Sequence, residues 1–234
     1  MIYLKKFETT SQYNAYTADT ANFIKPNVSL IEETNGVEYN ALVVPPTPPT
    51  PSHDYVEIGG VKWATMNIGA ESVTDNGLYF SWGNVEGHAK NSGYNFNQAN
   101  YNATSGATLS VDIPTNATYD AARKIWGGDW RLPTTAETRD LVNATTSAWT
   151  NDYQGSGVSG LVLTDKADSS KVLFFPAVGY YGGTTLYDEG SNGGYWSSSF
   201  RSATDAYNLY FGSSNVRPQN YDYRYYGFSV RAVQ

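Results

Sequence analysis

The feature of this sequence that most constrains its fold is a proline-rich stretch over residues 44–52. Five prolines fall within seven consecutive residues there. Proline lacks a backbone N–H and fixes φ, so this stretch favours extended polyproline II over a helix or a sheet. We therefore predict two separately folded parts: an N-terminal module over residues 1–43 and a larger domain over residues 55–234, joined by a linker over residues 44–54.

The N-terminal module is predicted to be small and rich in β-structure. Residues 2–7 have the pattern of a strand, and residues 10–19 have the pattern of a short helix. Asn35-Gly36 is a strong signal for a two-residue hairpin turn, and the alternation over residues 37–42 predicts the return strand. A module of about 40 residues buries little apolar surface, so we expect it to dock, oligomerise or tether the chain.

The larger domain has the pattern of an α+β fold made of short strands and glycine-rich turns. Gly59-Gly60 predicts the turn of a hairpin over residues 55–66. The polar, asparagine-rich segment over residues 84–114 predicts a long insertion loop. Further strands are predicted at residues 77–82, 161–164, 172–175, 194–198, 206–211 and 226–233.

Two helices are predicted in the middle of this domain. The first covers residues 119–126 and ends at Gly127-Gly128, because glycine readily adopts the backbone conformation that terminates a helix. The second begins at Thr134 and runs to about Ala144. Glu137 lies three residues after Thr134, which is the spacing of a capping box.

The composition limits the classes of function. Rings supply much of the apolar surface, with 20 Tyr and 6 Trp among 234 residues. A net charge of −7 and the lack of a Lys/Arg block argue against a nucleic-acid partner, because phosphate binding depends on clustered cations. There is no cysteine, so disulfides and thiolate chemistry are excluded. We find neither a signal-peptide pattern nor an apolar run long enough for membrane insertion.

Residues suited to catalysis or metal binding are few, and we predict no enzyme activity, no metal site and no cofactor. His53 and His88 have no pairing that indicates a triad or a metal site, and we interpret both as solvated. Residues 155–160 match GxGxxG, but no apolar strand precedes them and no helix follows, so we predict a turn. The remaining carboxylates lack the density of a calcium loop and are interpreted as solvated charges: Asp152, Asp165, Asp168, Asp188 and Glu189.

The most informative segment covers residues 200–225, which are rich in Tyr, Ser, Asn, Asp and Arg. Antibody paratopes use the same residue types, because tyrosine gives a large contact area at a low entropic cost. Strand alternation predicts that Tyr221, Tyr223 and Tyr225 share one exposed face. The alternative is a solvated sheet edge whose tyrosines only cap the core. The apolar residues expected to fix these strands are Ala206, Leu209, Phe211, Val216, Phe228 and Val230.

Three motifs in order resemble the FISUMP-type domains, which share a C-type-lectin-like fold with formylglycine-generating-enzyme-like domains. They are WGGDWRLPT from Trp126, GYWSSS from Gly194 and RYYGFSVR from Arg224. The resemblance covers residues 55–234 and implies two helices, twisted antiparallel sheets and long loops. The residues expected to hold this fold are Trp126, Trp130, Leu132, Trp196, Phe228 and Val230. The cysteines of formylglycine-generating enzymes and the calcium motifs of sugar-binding lectins are absent, so neither activity is carried over.

Within that fold the chain is similar to the variable proteins of diversity-generating retroelements, in which adenine-directed mutagenesis rewrites a C-terminal patch. Adenine changes in AAC or AAT codons yield Asn, Asp, Tyr, Ser, Gly, Arg and Thr among others, and never a stop. Gln219 departs from this pattern. The resemblance implies a variable, ligand-binding surface formed by Phe200, Arg201, Ser202, Thr204, Asp205, Tyr207, Tyr210, Gly212, Ser213, Ser214, Arg217, Asn220, Tyr221, Asp222, Tyr223 and Tyr225.

The N-terminal module resembles the leading segment of proteins from gut Bacteroides-type bacteria and their phages, which implies a virion or cell-surface location. The leading hypothesis is non-catalytic recognition of a protein or cell-surface ligand, with homo-oligomerisation through the N-terminal module. The alternative is a structural or adhesive surface subunit that uses the same tyrosine-rich patch as an oligomer interface. An enzyme is the least favoured of the three, because no carboxylate is paired with a base or a nucleophile.

Overall fold

The structure is a computed structural model that describes the backbone of residues 3–7, 28–31 and 39–43 and every residue from 53 to 234. The chain divides into two compact units, Met1–Ser52 and His53–Gln234. The helix predicted over residues 10–19, the Asn35-Gly36 turn and the proline-rich stretch over residues 44–52 lie outside the described residues.

The described part of the first unit is a three-stranded antiparallel sheet in the order β1-β3-β2. Its strands are β1 (Tyr3–Phe7), β2 (Val28–Ile31) and β3 (Tyr39–Val43). Strands β2 and β3 pair with Ile31 opposite Asn40 and Val28 opposite Val43. This register is symmetric about positions 35 and 36, where the sequence predicts the hairpin turn.

The second unit combines short antiparallel strands with three α-helices, one more than predicted. Its strands are β4 (Tyr55–Ile58), β5 (Val61–Ala64), β6 (Thr145–Thr150), β7 (Gly160–Asp165), β8 (Val172–Pro176), β9 (Tyr180–Gly182), β10 (Thr185–Tyr187), β11 (Asn192–Phe200), β12 (Asp205–Gly212) and β13 (Asn215–Tyr223). Its helices are α1 (Gln98–Asn102), α2 (Ala121–Ile125) and α3 (Thr135–Ala144), and 3-10 turns lie at Ser105–Thr108 and Tyr153–Gly155. The unit is thus a mixed, mostly β structure.

The strands form four sheets, β4-β5, β6-β7-β8, β9-β10 and β11-β12-β13. The first is the predicted hairpin: Ile58 pairs with Val61, and Gly59 and Gly60 adopt φ of 62° and 79°, as the two-residue turn requires. This hairpin also holds the end of the chain. Backbone hydrogen bonds join Lys62 to Gln234, with one of 3.2 Å and one of 2.9 Å.

Helix α3 begins as the capping box predicts. The Thr134 side chain accepts from the Glu137 N–H, and the Glu137 carboxylate accepts from the Thr134 N–H at 2.7 Å. Arg131 forms a two-bonded ion pair with Glu137, which fixes the approach to the helix. On its buried side, Thr138 Oγ1 donates to the carbonyl of Pro218 at 2.8 Å, so α3 is joined directly to β13.

Two buried clusters of apolar side chains form the core of the second unit. One contains all six residues that the resemblance assigns to holding the fold, and their expected place in the core is confirmed. The other contains Leu209 and Phe211 from β12, with Leu141 of α3. Since Trp196 and Ala206 belong to the first cluster, the β11-β12-β13 sheet lies between the two clusters.

Several predicted elements differ from the structure. Residues 77–82 and 226–233 form isolated bridges rather than strands, because their backbone groups bond to several different partners. The segment over residues 84–114 is more than an insertion loop, since it contains α1 and a 3-10 turn and buries Phe96 and Tyr101 in the interior. Among the helices described, none has the length and apolar character needed to cross a membrane.

Candidate ligand-binding surface

The tyrosine-rich tract folds into β12, β13 and the turns on either side of them. Directly paired residues of an antiparallel sheet share one side of it. One side, which we name the tyrosine face, carries Asp205 opposite Tyr223 and Tyr207 opposite Tyr221. The other side, the groove face, consists of Asn208, Tyr210, Arg217, Asn220 and Asp222. The predicted binding residues are therefore divided between two faces.

A β-bulge between Asn208 and Tyr210 sets this division. Asn208 pairs with Asn220 and Tyr210 pairs with Arg217, so β13 has one more residue than β12 across this interval. The extra residue shifts the alternation of β13, and Arg217 comes to lie on the same side as Asn220. The Pro218 carbonyl at the bulge is the acceptor of the Thr138 hydroxyl.

Most of the predicted residues keep part of their surface open to solvent. Tyr221 is 50% exposed and Tyr223 is 47% exposed, which is high for large side chains on a sheet. Gly212 is the exception in exposure, although it lines a groove together with Ser213 and Ser214, and its assignment as a binding residue stays a prediction. It is buried at the end of β12, and a Cβ there would overlap the Asn192 side chain, so close packing requires glycine at this position.

Tyr225 does not join the tyrosine face by strand alternation, because β13 ends at Tyr223. Tyr225 lies in the following turn and stacks on Tyr223, with ring centroids 5.2 Å apart and planes inclined by 10°. The Tyr226 ring meets both edge-on, at 5.6 Å from Tyr223 and 5.0 Å from Tyr225. The cluster of rings at the end of the strand thus consists of Tyr223, Tyr225 and Tyr226, and Tyr221 contacts Arg201 instead.

The loop between β11 and β12 is ordered around the Asp205 carboxylate. Its Oδ2 atom accepts hydrogen bonds from Arg201 (3.3 Å), Ser202 (3.1 Å) and Thr204 (3.1 Å). The Ser202 hydroxyl in turn accepts from the Asp205 N–H at 2.9 Å. The Arg201 guanidinium also lies 3.4 Å from the centroid of the Tyr221 ring. These contacts join the loop to β13 and limit the motion of four candidate residues.

Buried Arg224 holds the end of β13 in place from the interior of the second unit. Its guanidinium donates to the carbonyls of Gly106 (2.6 Å) and Ala203 (3.2 Å), and it lies 4.5 Å from the Trp82 ring. No carboxylate among the described residues forms an ion pair with it. Arg224 therefore supports the surface through carbonyls and rings and does not itself reach a ligand.

The groove face contains a hydrogen-bonded group of three polar side chains. Asn208 is fully buried and donates to Asp222 Oδ2 at 3.3 Å, and Asn220 donates to the same oxygen at 3.0 Å. Asn220 also donates to Asn208 Oδ1 at 3.2 Å. Burial raises the pKa of the Asp222 carboxyl, because its amide partners stabilise the charge less than water would.

Sequence reasoning missed three tyrosines that extend this surface. Tyr180 of β9 and Tyr187 of β10 are direct cross-strand partners, and their rings stack at 5.5 Å. Tyr180 also contacts Tyr226 at 5.4 Å, which connects the β9-β10 hairpin to the ring cluster after β13. A signal was present in YYGGTTLY, where a glycine turn is flanked by tyrosines.

Ser213 and Ser214 lie apart from the other predicted residues. They occupy the β12-β13 turn at the opposite end of the sheet, about 26 Å along the strand from Asp205 at ~3.3 Å per residue. There they line a separate groove of about 230 Å³ with Ser147 and Trp149. The structure therefore does not bring these two serines to the tyrosine face.

Neither histidine is solvated as predicted, because each stacks on an aromatic ring. His53 lies 3.7 Å from Trp126 and His88 lies 3.5 Å from Tyr94, measured between ring centroids. Each Nε2 atom is buried without a hydrogen-bond partner, and burial lowers the pKa of both groups. Over the described residues, no three His, Asp or Glu side chains converge in a way that would hold a metal ion.

Comparisons of this chain with protein-family models, with curated proteins and with solved structures found no match.

Proposed function

We propose that this protein is a non-catalytic recognition protein that binds a protein or cell-surface ligand through its C-terminal surface. The binding residues are those of the tyrosine face, the groove face and the β11-β12 loop. Tyr180, Tyr187 and Tyr226 extend the same surface. In this proposal the second unit is a C-type-lectin-like domain, and the first unit carries it on a virion or cell surface and forms the homo-oligomer contact.

The observation that carries the proposal is the contrast in exposure along β13. Every second side chain of this strand is exposed, while the backbone is fixed by β12, by Thr138 of α3 and by Arg224. Tyrosines held on a fixed backbone lose little entropy when a ligand binds, which favours affinity. An edge whose tyrosines only cap the core would not leave Tyr221 and Tyr223 about half exposed.

The proposed C-type-lectin-like fold is supported by the mixed architecture and by the packing of the three motifs. Trp130, Trp196 and Phe228 come from different motifs and lie in one buried cluster. The retroelement relationship is supported by the placement of the tract, because its exposed positions lie on β13, whose neighbour β12 is anchored in the core by Ala206, Leu209 and Phe211. A copy of the coding segment beside a reverse transcriptase gene, differing only at adenines, would establish that relationship.

The test uses the full chain, labelled with a fluorophore and incubated with intact bacterial cells and with printed panels of proteins and glycans. We expect the triple variant Tyr221→Ala/Tyr223→Ala/Tyr225→Ala to weaken binding at least about tenfold. Its thermal midpoint should move by less than about 4 °C, because the rings contribute little to the core. Tyr55→Ala is the matched control, since Tyr55 on β4 is 48% exposed.

Two results would contradict the proposal. Unchanged binding by the triple variant would remove the tyrosines from the site. A stable oligomer in light scattering that dissociates in the triple variant would favour the structural subunit, with the tyrosines at its interface. A monomer, or an oligomer that the triple variant retains, leaves the tyrosines available for a ligand.

A further inference from the structure

The groove face borders a small concave site with an unusual charge pattern. A groove of about 250 Å³ lies here, and its lining includes Tyr221 of the tyrosine face beside Tyr180, Tyr210, Arg217, Asn220 and Asp222. Small-molecule pockets usually measure about 300–1,000 Å³, so this groove suits one side chain of a larger partner better than a free cofactor.

Asp222 brings a negative charge that the described residues do not compensate. Its hydrogen bonds come from the neutral amides of Asn208 and Asn220, and it forms no ion pair with a described Lys or Arg. A partly buried carboxylate without a cation is costly, because amide dipoles replace only part of its hydration. A cation that entered the groove would offset that cost.

A second carboxylate lies at the margin of the same groove. Asp188 Oδ2 is 3.4 Å from the Tyr210 hydroxyl and likewise forms no ion pair with a described residue. Burial raises the pKa of Tyr180 and raises that of Tyr210 to about 12, and the charges of Asp188 and Asp222 act on both hydroxyls in the same direction. The hydroxyls of Tyr180 and Tyr210 therefore both lie in the electric field of the Asp188 and Asp222 carboxylates.

Arg217 is the cation that lines the groove. Its side chain is exposed at the rim and makes no ion pair with any described carboxylate. The carboxylates of Asp188 and Asp222 outnumber this guanidinium, so the net charge of the groove is negative. Arg217 would repel an incoming cation. Removal of Arg217 should therefore strengthen cation binding, whereas removal of the Asp222 charge should weaken it.

We infer that this groove receives a lysine or arginine side chain of a protein partner, held by the Asp222 and Asp188 carboxylates and by the faces of Tyr180 and Tyr210. Cations bind tyrosine faces through the ring quadrupole, and the contact strengthens where water is excluded. The inference rests on the proposed recognition function and specifies the chemistry of the partner. A neutral sugar would hydrogen-bond to Asp222 but would leave its charge uncompensated.

The test is a titration of the full chain, labelled with ¹³C in its tyrosine rings, followed by NMR. The probes are the peptides acetyl-Gly-Lys-Gly-amide, acetyl-Gly-Arg-Gly-amide and the first peptide with its lysine ε-acetylated. We expect the Lys and Arg peptides to shift the ring signals of Tyr180 and Tyr210 with millimolar affinity. The acetylated peptide, which lacks the charge, should bind at least about fivefold more weakly.

Three variants sharpen this test. Asp222→Asn keeps the hydrogen-bond acceptor and removes the charge, so it should weaken peptide binding at least about fivefold. Arg217→Ala should strengthen it about threefold, because a nearby like charge is removed. Asp168→Asn, at an exposed carboxylate in the β7-β8 turn, is the matched control and should leave peptide binding unchanged. Equal binding of the acetylated peptide, or no loss with Asp222→Asn, would overturn the inference.

The two proposals can fail separately. If the peptides do not bind but the triple tyrosine variant still loses the macromolecular ligand, recognition stands and the cation-binding groove is wrong. If the peptides bind as expected but no macromolecular ligand depends on the tyrosines, the groove stands and the recognition function is wrong. Preferential binding of a neutral sugar such as methyl glucoside would also reject a cationic partner.

Discussion

Strands β12 and β13 are neighbours in one sheet, but β12 buries most of its side chains and β13 exposes every second one. The central strand β12 buries Ala206, Leu209 and Phe211 in the two core clusters. The edge strand β13 exposes every second side chain and leaves the others half-buried. The difference indicates that β12 carries the stability of the sheet, and that β13 displays side chains on a backbone which its neighbours hold in place.

The largest effect should come from β12. Phe211→Ala removes a fully buried ring that contacts Phe175 and Tyr195, and should lower the free energy of unfolding by about 4 kcal/mol. Denaturant unfolding measures this loss. Tyr221→Ala on β13 is the comparison, with an expected loss below about 1 kcal/mol. Similar losses in the two variants would break the distinction between the strands.

The second-largest loss of stability is expected where the backbone of β11 approaches a side chain of β12 closely. A Cβ at Gly193 would overlap the Phe211 ring, so Gly193→Ala should lower the unfolding free energy by about 1–3 kcal/mol. Phe211→Leu makes room at this point. The double variant should therefore lose less than the sum of the two single variants, as a double-mutant cycle measures. Additive losses of unfolding free energy would show that the Phe211 ring is not what requires glycine at position 193.

A smaller effect is expected on β13, at Asp222. Because burial raises its pKa above the ordinary value of 3.8, the folded chain binds this proton more tightly than the unfolded chain. The stability that it contributes is present below the unfolded pKa and is lost as the pH rises through the folded pKa. Asp222→Asn should therefore gain stability relative to the parent chain between acidic pH and pH 7, by up to about 1 kcal/mol.

Asp168→Asn should change the pH dependence of stability in the opposite direction. Hydrogen bonds from Ser170 lower the pKa of Asp168, so its contribution is present above the unfolded pKa and is lost as the pH falls through the folded pKa. Relative to the parent chain, this variant should lose stability as the pH rises from acidic values to 7. Denaturant unfolding at several pH values measures both variants, and parallel curves for the two would contradict the assignment.

The smallest effects should come from the exposed positions of β13. Single substitutions of Asn215, Gln219, Tyr221 or Tyr223 by Ser or Ala should each change the unfolding free energy by no more than about 1 kcal/mol. A library randomised at these positions, sorted for protease resistance, would measure their tolerance together. Broad loss of resistance would mean that β13 contributes to the core far more than its exposure indicates.

Local signals in the sequence predicted local structure well. The Gly59-Gly60 hairpin and the Thr134 capping box were correct because a few neighbouring residues determine each of them. Strand β6 was missed because it follows Ala144 of α3 directly, with no glycine or proline to mark the change. Strand alternation was expected at Tyr221 and Tyr223, but the bounds of β13 were not predicted, because its polar alternation resembles a loop and Pro218 interrupts it.

Features that depend on distant partners could not be predicted in this way. The apolar alternation over residues 226–233 resembles a strand, but its backbone groups bond to Phe80, Tyr181 and Arg131 in turn. The histidines gave no local sign that Trp126 and Tyr94 would cover them. Tyr180 and Tyr187 join the candidate surface only through the fold, since they lie far from the tract in sequence.

The bulge opposite Leu209 restricts how the tract can evolve. Insertion or deletion of one residue within β13, between Val216 and Asn220, would change the parity of the strand and exchange its exposed and half-buried side chains. Exchange of side chains at constant length leaves that parity intact. Strand β13 is thus open to a diversity of residue types but closed to a diversity of lengths, which would suit the codon-rewriting process proposed above.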